Sequence, residues 1–195
     1  MSLIGLFKPK GNSGFGYTST AEEVTAGIDL TGKTILITGC NSGLGQETAR
    51  VLALRGARIV GTSRTAEKAQ NALAEFGNIH KGYECELSDP KSVRACVAAL
   101  KKDGLIFDAV ICNAGIMALQ QLEKSHGYEL QFFTNHIGHF MLVTGILDLL
   151  SAEGRVVMLS SSAHSMAPKE GIQFDNLSSE KEYKPWKAYG HSKLA

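Results

Sequence analysis

The stretch Thr38-Gly39-Cys40-Asn41-Ser42-Gly43-Leu44-Gly45 decides how this chain folds. It follows Lys33 to Thr38, a short apolar and β-branched run that predicts a strand buried on both faces. A helix is expected directly after it, with Leu44, Val51 and Leu52 on one face. The glycines at this junction have separate jobs. Gly39 lets the chain turn sharply off the strand, Gly43 lets backbone approach a pyrophosphate, and Gly45 lets the helix pack close to the sheet. A helix N-terminus placed there offers free N–H groups and a positive dipole end to an anion, which makes Asn41, Ser42 and Leu44 candidate contacts as well. The spacing is Gly-x3-Gly-x-Gly, not Gly-x-Gly-x-x-Gly, and a glycine-rich turn with no ligand is the plain alternative.

Outward from this junction the same alternation repeats. Arg58 to Thr62 reads as a strand, Ala66 to Phe76 as a helix and His80 to Leu87 as a strand. Pro90 sits in the first turn of a helix running to about Lys102, and Ile106 to Cys112 is another strand. Tyr128 to Leu150 reads as one long helix with Leu130, Phe133, Ile137, Phe140, Thr144 and Leu147 on a single stripe, followed by a fifth strand over Arg155 to Leu159. Strands alternating with helices imply an α/β fold: a Rossmann-type, doubly wound parallel sheet with helices on both faces. Residues 1–28 read as an arm, with Thr20 and Glu23 forming a capping box for a short helix over Ala21 to Ala26. Residues 29–195 read as one NAD(P)-binding domain.

Ligands of open parallel sheets bind outside the carboxyl ends of the strands. The second strand ends in Gly61-Thr62-Ser63-Arg64, where an NAD-selective site would place Asp or Glu. Ser63 followed by Arg64 favours a 2′-phosphate and so NADP(H), although Arg64 is equally readable as a solvated surface charge. Asn113-Ala114-Gly115 ends the fourth strand and Ser160-Ser161-Ser162 the fifth. Tyr189 and Lys193 lie four positions apart after Pro185, which is placed to open a helix and set both on one face. An ammonium beside a phenol favours the phenolate, giving a general acid/base usable near neutral pH. Taken singly, a Tyr-x3-Lys pair is ordinary surface chemistry.

As a set, and in this order, these motifs resemble the short-chain dehydrogenase/reductase family from about Leu30 to Ala195. The resemblance implies roles. Tyr189 would exchange a proton with the substrate oxygen, and Lys193 would support Tyr189 and hold the nicotinamide ribose. Ser161 would hydrogen-bond the substrate oxygen, with Ser160 and Ser162 the weaker choices. Asn135, in Thr134-Asn135-His136-Ile137-Gly138-His139-Phe140, would order a water in the proton relay. Gly39, Asn41, Ser42, Gly43, Leu44, Gly45, Ser63, Arg64, Glu86, Leu87, Asn113, Ala114, Gly115, Tyr189 and Lys193 would line the cofactor site. Asn-Ala-Gly-Ile-Met, Asn-His-x-Gly-His-Phe and Tyr-x-His-Ser-Lys-Leu-Ala look most like the retinol-dehydrogenase-like branch, which includes WW-domain oxidoreductases and a chloroplast import-associated enzyme. That suggests a lipophilic alcohol, aldehyde or ketone, and a homo-oligomer through the helices at 128–150 and around Tyr189. Two positions depart from the pattern: Cys112 stands where an asparagine usually precedes Asn113, and Glu86 where an aspartate usually contacts adenine.

Other readings are weaker. Phe174 and Trp186, between Ser161 and Tyr189, would either line a hydrophobic substrate pocket or pack back on the body. His136 and His139 are spaced for a metal pair but lack an evident third ligand, so no metal is expected. Ser162 and His164 lack a nucleophile-elbow context, which argues against a hydrolase. A net charge of +1 over 195 residues gives no electrostatic case for nucleic acid. Phe140 to Leu150 is too short, and interrupted by Asp148, to span a bilayer. Cys40, Cys85, Cys96 and Cys112 have no metal-ligand spacing and suit a reducing cytoplasm, with an organelle address over Met1 to Lys10 left open. The relatives in the family continue beyond the Tyr/Lys helix with two more strands, so a chain ending at Ala195 is expected to be C-terminally incomplete and to have little activity by itself. The competing functions are a non-catalytic nucleotide-binding module, or an inactive fragment of the enzyme, and a doubly wound enzyme of another class such as a methyltransferase, which would not need the Tyr/Lys pair.

Overall fold

The structure, a computed structural model, describes residues 11–195. The readings placed on Met1 to Lys10 lie outside the described residues. Five parallel strands, β1 (Thr34–Thr38), β2 (Arg58–Ser63), β3 (Lys81–Glu84), β4 (Phe107–Cys112) and β7 (Leu150–Met158), form a sheet in the order β3-β2-β1-β4-β7. The order reverses at β1, which places a crevice between β1 and β4. A two-residue-per-strand hairpin, β5 (Lys124–Ser125) and β6 (Tyr128–Glu129), lies outside the sheet.

Side chains of a strand alternate between faces, and β1 divides accordingly. Ile35 and Ile37 pack with Ile59, Ala49 and Leu73 under α2 (Gly43–Leu54) and α3 (Ala66–Ala74). Leu36 packs with Val60, Phe107, Val110, Leu100, Leu142 and Ile146 under α4 (Pro90–Lys102) and α6 (Gly138–Gly145). Two cores on one sheet are what a doubly wound fold requires. The helix starts follow local chemistry. Thr65 accepts a hydrogen bond from Lys68 N–H to cap α3, while Asp89 accepts from Lys91 N–H ahead of Pro90 to cap α4. Thr20 and Glu23 form the reciprocal capping box at α1 (Ala21–Val24), and Arg50 pairs with Glu22 to hold that turn on α2.

The 128–150 region corrects the sequence expectation. Instead of one helix there is a turn of α5 (Leu130–Phe132), a π-helical turn over Phe133–Ile137, α6, a 3-10 turn over Leu147–Leu149, and then β7. The buried face is Phe132, Asn135, His139, Leu142, Ile146 and Leu149, whereas Phe140, Thr144 and Leu147 of the expected stripe are exposed. The helix is apolar nearly all round, so periodicity could not choose the face. Leu44 is likewise 75% exposed, because it opens onto a crevice and not the core. The third strand is shorter than expected: His80 leaves the ladder and accepts Ile59 N–H on its Nδ1. The fifth strand begins five residues early, with a register shift against β4 between Phe107 and Ala109.

Candidate active site

A cleft of about 650 Å³ runs across the carboxyl ends of β1, β2, β4 and β7. The phosphate-loop reading rests on three backbone facts. Gly39 and Gly43 take φ values of +69° and +55°, and a Cβ on Gly43 would meet nothing within 4 Å, leaving the backbone there open to a ligand. A Cβ on Gly45 would sit 2.1 Å from Gly39 O and 2.4 Å from Asn113 Nδ2, so α2 closes on the loop only with glycine there. Ser42, the N-cap of α2, makes no side-chain cap hydrogen bond, and the amides of the first turn remain available. Asn113 donates from Nδ2 to Thr38 O at 2.8 Å, tying the end of β4 to the loop.

Along the second wall, Ser63 is buried and donates to Thr65 O, while Arg64 is exposed at the cleft. Glu86 accepts from the backbone and hydroxyl of Ser88, and Leu87 is buried beside it. Helix α7 (Pro185–Leu194) begins at Pro185 as expected and presents Tyr189 and Lys193 together. Lys193 Nζ lies 5.9 Å from the centre of the Tyr189 ring and donates to Leu159 O at 3.0 Å. Burial holds the pKa of Lys193 below its ordinary value. Ser161 faces the same cleft while its hydroxyl accepts Ala163 N–H, and Ser160 donates to Lys193 O.

Two of the expected residues do not line the cleft. Gly43 stands outside its wall, and Asn135 lies behind it. Asn135 accepts Ile116 N–H on Oδ1 and donates from Nδ2 to Ile116 O and Ser192 Oγ, each at 2.9 Å. It therefore braces the segment after β4 against α7. Phe174 and Trp186 do not line the cleft either: Phe174 is 81% exposed, and Trp186 stands edge-on to Tyr189 at 6.1 Å.

Sequence reasoning missed Thr62, Cys85, Ile116, Met117, Thr134 and Leu159, which complete the walls. Thr62, Cys85, Ile116 and Leu159 each adjoin a residue it did identify near a strand's carboxyl end, which was the available signal. Thr134 had no such signal. Its hydroxyl is buried and is the one buried side-chain polar atom among the described residues without a hydrogen-bond partner. A buried hydroxyl facing a cleft without a partner suits a polar ligand there. The free N-terminus of α2 and the Thr134 hydroxyl fit a phosphorylated, polar guest. Among the described residues no group of three or more His, Cys, Asp or Glu side chains is placed to hold a metal.

Comparison with known proteins gives consistent findings. The family model described as short chain dehydrogenase matches residues 33–174. The chain is 39% identical over 208 residues to the short-chain dehydrogenase TIC 32 A, chloroplastic, of Brassica napus, an alignment covering 100% of this chain and 65% of that protein. It is 39% identical over 178 residues to retinol dehydrogenase 12 of Mus musculus, covering 88% of this chain and 55% of the relative. A crystal structure of an uncharacterised protein from Mycobacterium paratuberculosis superposes with a TM-score of 0.74 at 37% identity, over 85% of this chain and 59% of the other. The chain thus spans less than two thirds of the length of each.

Proposed function

The chain belongs to the short-chain dehydrogenase family, and from that premise we propose that it interconverts an alcohol and a carbonyl with a nicotinamide dinucleotide, NADP(H) in preference to NAD(H). The observation that carries this reading is the meeting of Tyr189, Lys193 and Ser161 with the glycine loop in one cleft. Bound there, the nicotinamide supplies or takes up the hydride. The chain's own part is position and proton transfer. Ser161 hydrogen-bonds the substrate oxygen, and Tyr189 donates a proton to it in reduction or accepts one in oxidation. Lys193, anchored on Leu159 O, holds positive charge beside the phenol during that exchange. Asn135 keeps Ile116 and Ser192 in register around them. The exposure of Arg64 in the cleft just after β2 supports the 2′-phosphate reading.

The substrate side is proposed to be lipophilic, since Met117, which shares the cleft with Tyr189, leaves its side chain exposed there. Calorimetric titration with NADPH and, separately, NADH tests the cofactor reading. Binding with NADPH preferred supports it, and a folded chain that binds neither removes it. Tyr189→Phe separates enzyme from nucleotide-binding module: turnover by the protein is lost while dinucleotide affinity stays within about twofold. Unchanged turnover in that variant would assign the chemistry elsewhere.

A further inference from the structure

A buried imidazole behind the cleft links its walls in a way the reaction does not by itself require. His139 is 1% exposed. Its Nδ1 lies 2.9 Å from the carbonyl oxygen of Asn135, which only accepts, so Nδ1 carries the hydrogen. Its Nε2 lies 2.9 Å from Thr38 Oγ1, and in the neutral ring that nitrogen accepts, so the Thr38 hydroxyl donates to it. Thr38 Oγ1 in turn accepts Ala114 N–H at 3.0 Å. The chain of bonds runs one way, from the Ala114 amide through Thr38 and His139 to the Asn135 carbonyl, and the Asn135 side chain extends it to Ile116 and Ser192.

Each member belongs to a different element at or behind the cleft. Thr38 is the last residue of β1 and opens the phosphate loop; Ala114 follows β4; Asn135 sits in the π-helical turn that presses on α7. A turn of π-helix inside an α-helix is a local irregularity that often accompanies function. Here the His139 ring takes up the Asn135 carbonyl within that turn. We propose that His139 is a positioning residue for dinucleotide binding, which as a neutral Nδ1–H imidazole fixes Thr38, Ala114 and Asn135 relative to one another; this rests on the dinucleotide reading above. Apolar side chains cannot replace it, because the site needs a donor on one edge and an acceptor on the other. The titratable groups facing the ring are Lys193 from α7 and His136 from its own helix, and both oppose a positive charge on it.

The test uses the whole chain with nitrogen-labelled histidine, and the variants His139→Phe, His139→Gln and Thr38→Val. In the wild type the ring should show the Nδ1–H tautomer near neutral pH. In His139→Phe the amides of Ala114 and Ile116 should exchange with solvent about tenfold faster, while those of Leu36 and Val110 in the core keep their protection. NADPH affinity should fall about tenfold in His139→Phe and in Thr38→Val, with the double variant little worse than either, and His139→Gln should recover part of the loss. An Nε2–H tautomer overturns the proposal, as does unchanged exchange at Ala114 and Ile116 in folded His139→Phe. If the wild type binds NADPH and the variants bind it equally well, the role of His139 falls alone. If the wild type binds no dinucleotide, the functional reading falls and the proposal with it.

Discussion

At the scale of single residues the cleft is built from groups whose surroundings set their protonation or their reach. Burial pushes His139 down to about 4, only partly offset by the bond to Asn135, with Lys193 and His136 lowering it further. The folded chain therefore binds fewer protons than the unfolded one between that value and about 6.5, the unperturbed histidine pKa. The contribution is fully present above about pH 6.5, is lost as pH falls toward 4, and amounts to about 3 kcal/mol in all. Urea unfolding at neutral and mildly acid pH should show wild type losing more stability than His139→Phe. Parallel losses in the two would place the acid sensitivity in other groups. Arg64→Ala should weaken NADPH about tenfold and leave NADH nearly unchanged, because only the former carries the 2′-phosphate; equal effects in calorimetry would make Arg64 a surface charge. Tyr189, Lys193, Ser161, Arg64 and the loop glycines were legible in the sequence because each sits at a strand end or at helical spacing. Thr134 was not, because only packing shows that its hydroxyl has no partner.

At the scale of elements, the junction of β1 and α2 is fixed by atoms that leave no room. Gly45→Ala puts a methyl 2.1 Å from Gly39 O, so α2 must shift away from the loop. Both melting temperature and dinucleotide affinity should fall sharply, and retention of affinity would mean that the loop adapts without loss. Helix α6 gives the opposite lesson. Its apolar residues surround it, and the sequence pattern placed Phe140 and Leu147 inward when Leu142 and Ile146 are the buried ones. Leu142→Ala should cost about 2–5 kcal/mol in denaturant unfolding, while Leu147→Ala should stay within about 0.5 kcal/mol. Similar losses at both sites would contradict the observed face. The π-helical turn before α6 was illegible for a related reason. The His139 ring, whose other edge bonds the carbonyl of Asn135 in that turn, meets Thr38, a residue far away in the chain.

At the scale of the whole molecule, the two sheet edges differ. Edge strand β3 is short and polar, whereas β7 exposes Val156, Val157 and Met158 beside Phe140 and Leu147 of the neighbouring helix. No helix among the described residues is long and apolar enough to cross a membrane. The sequence by itself determined the alternation of strands and helices, the parallel sheet, the glycine loop and the Tyr/Lys pair, since these depend on residue type and short-range spacing. The tertiary structure alone decided which face of α6 is buried, where β7 begins, that Asn135 braces the cleft from behind it, and that His139 joins three separate segments. Those depend on burial and on hydrogen bonds between distant segments, and short-range periodicity carries no information about either.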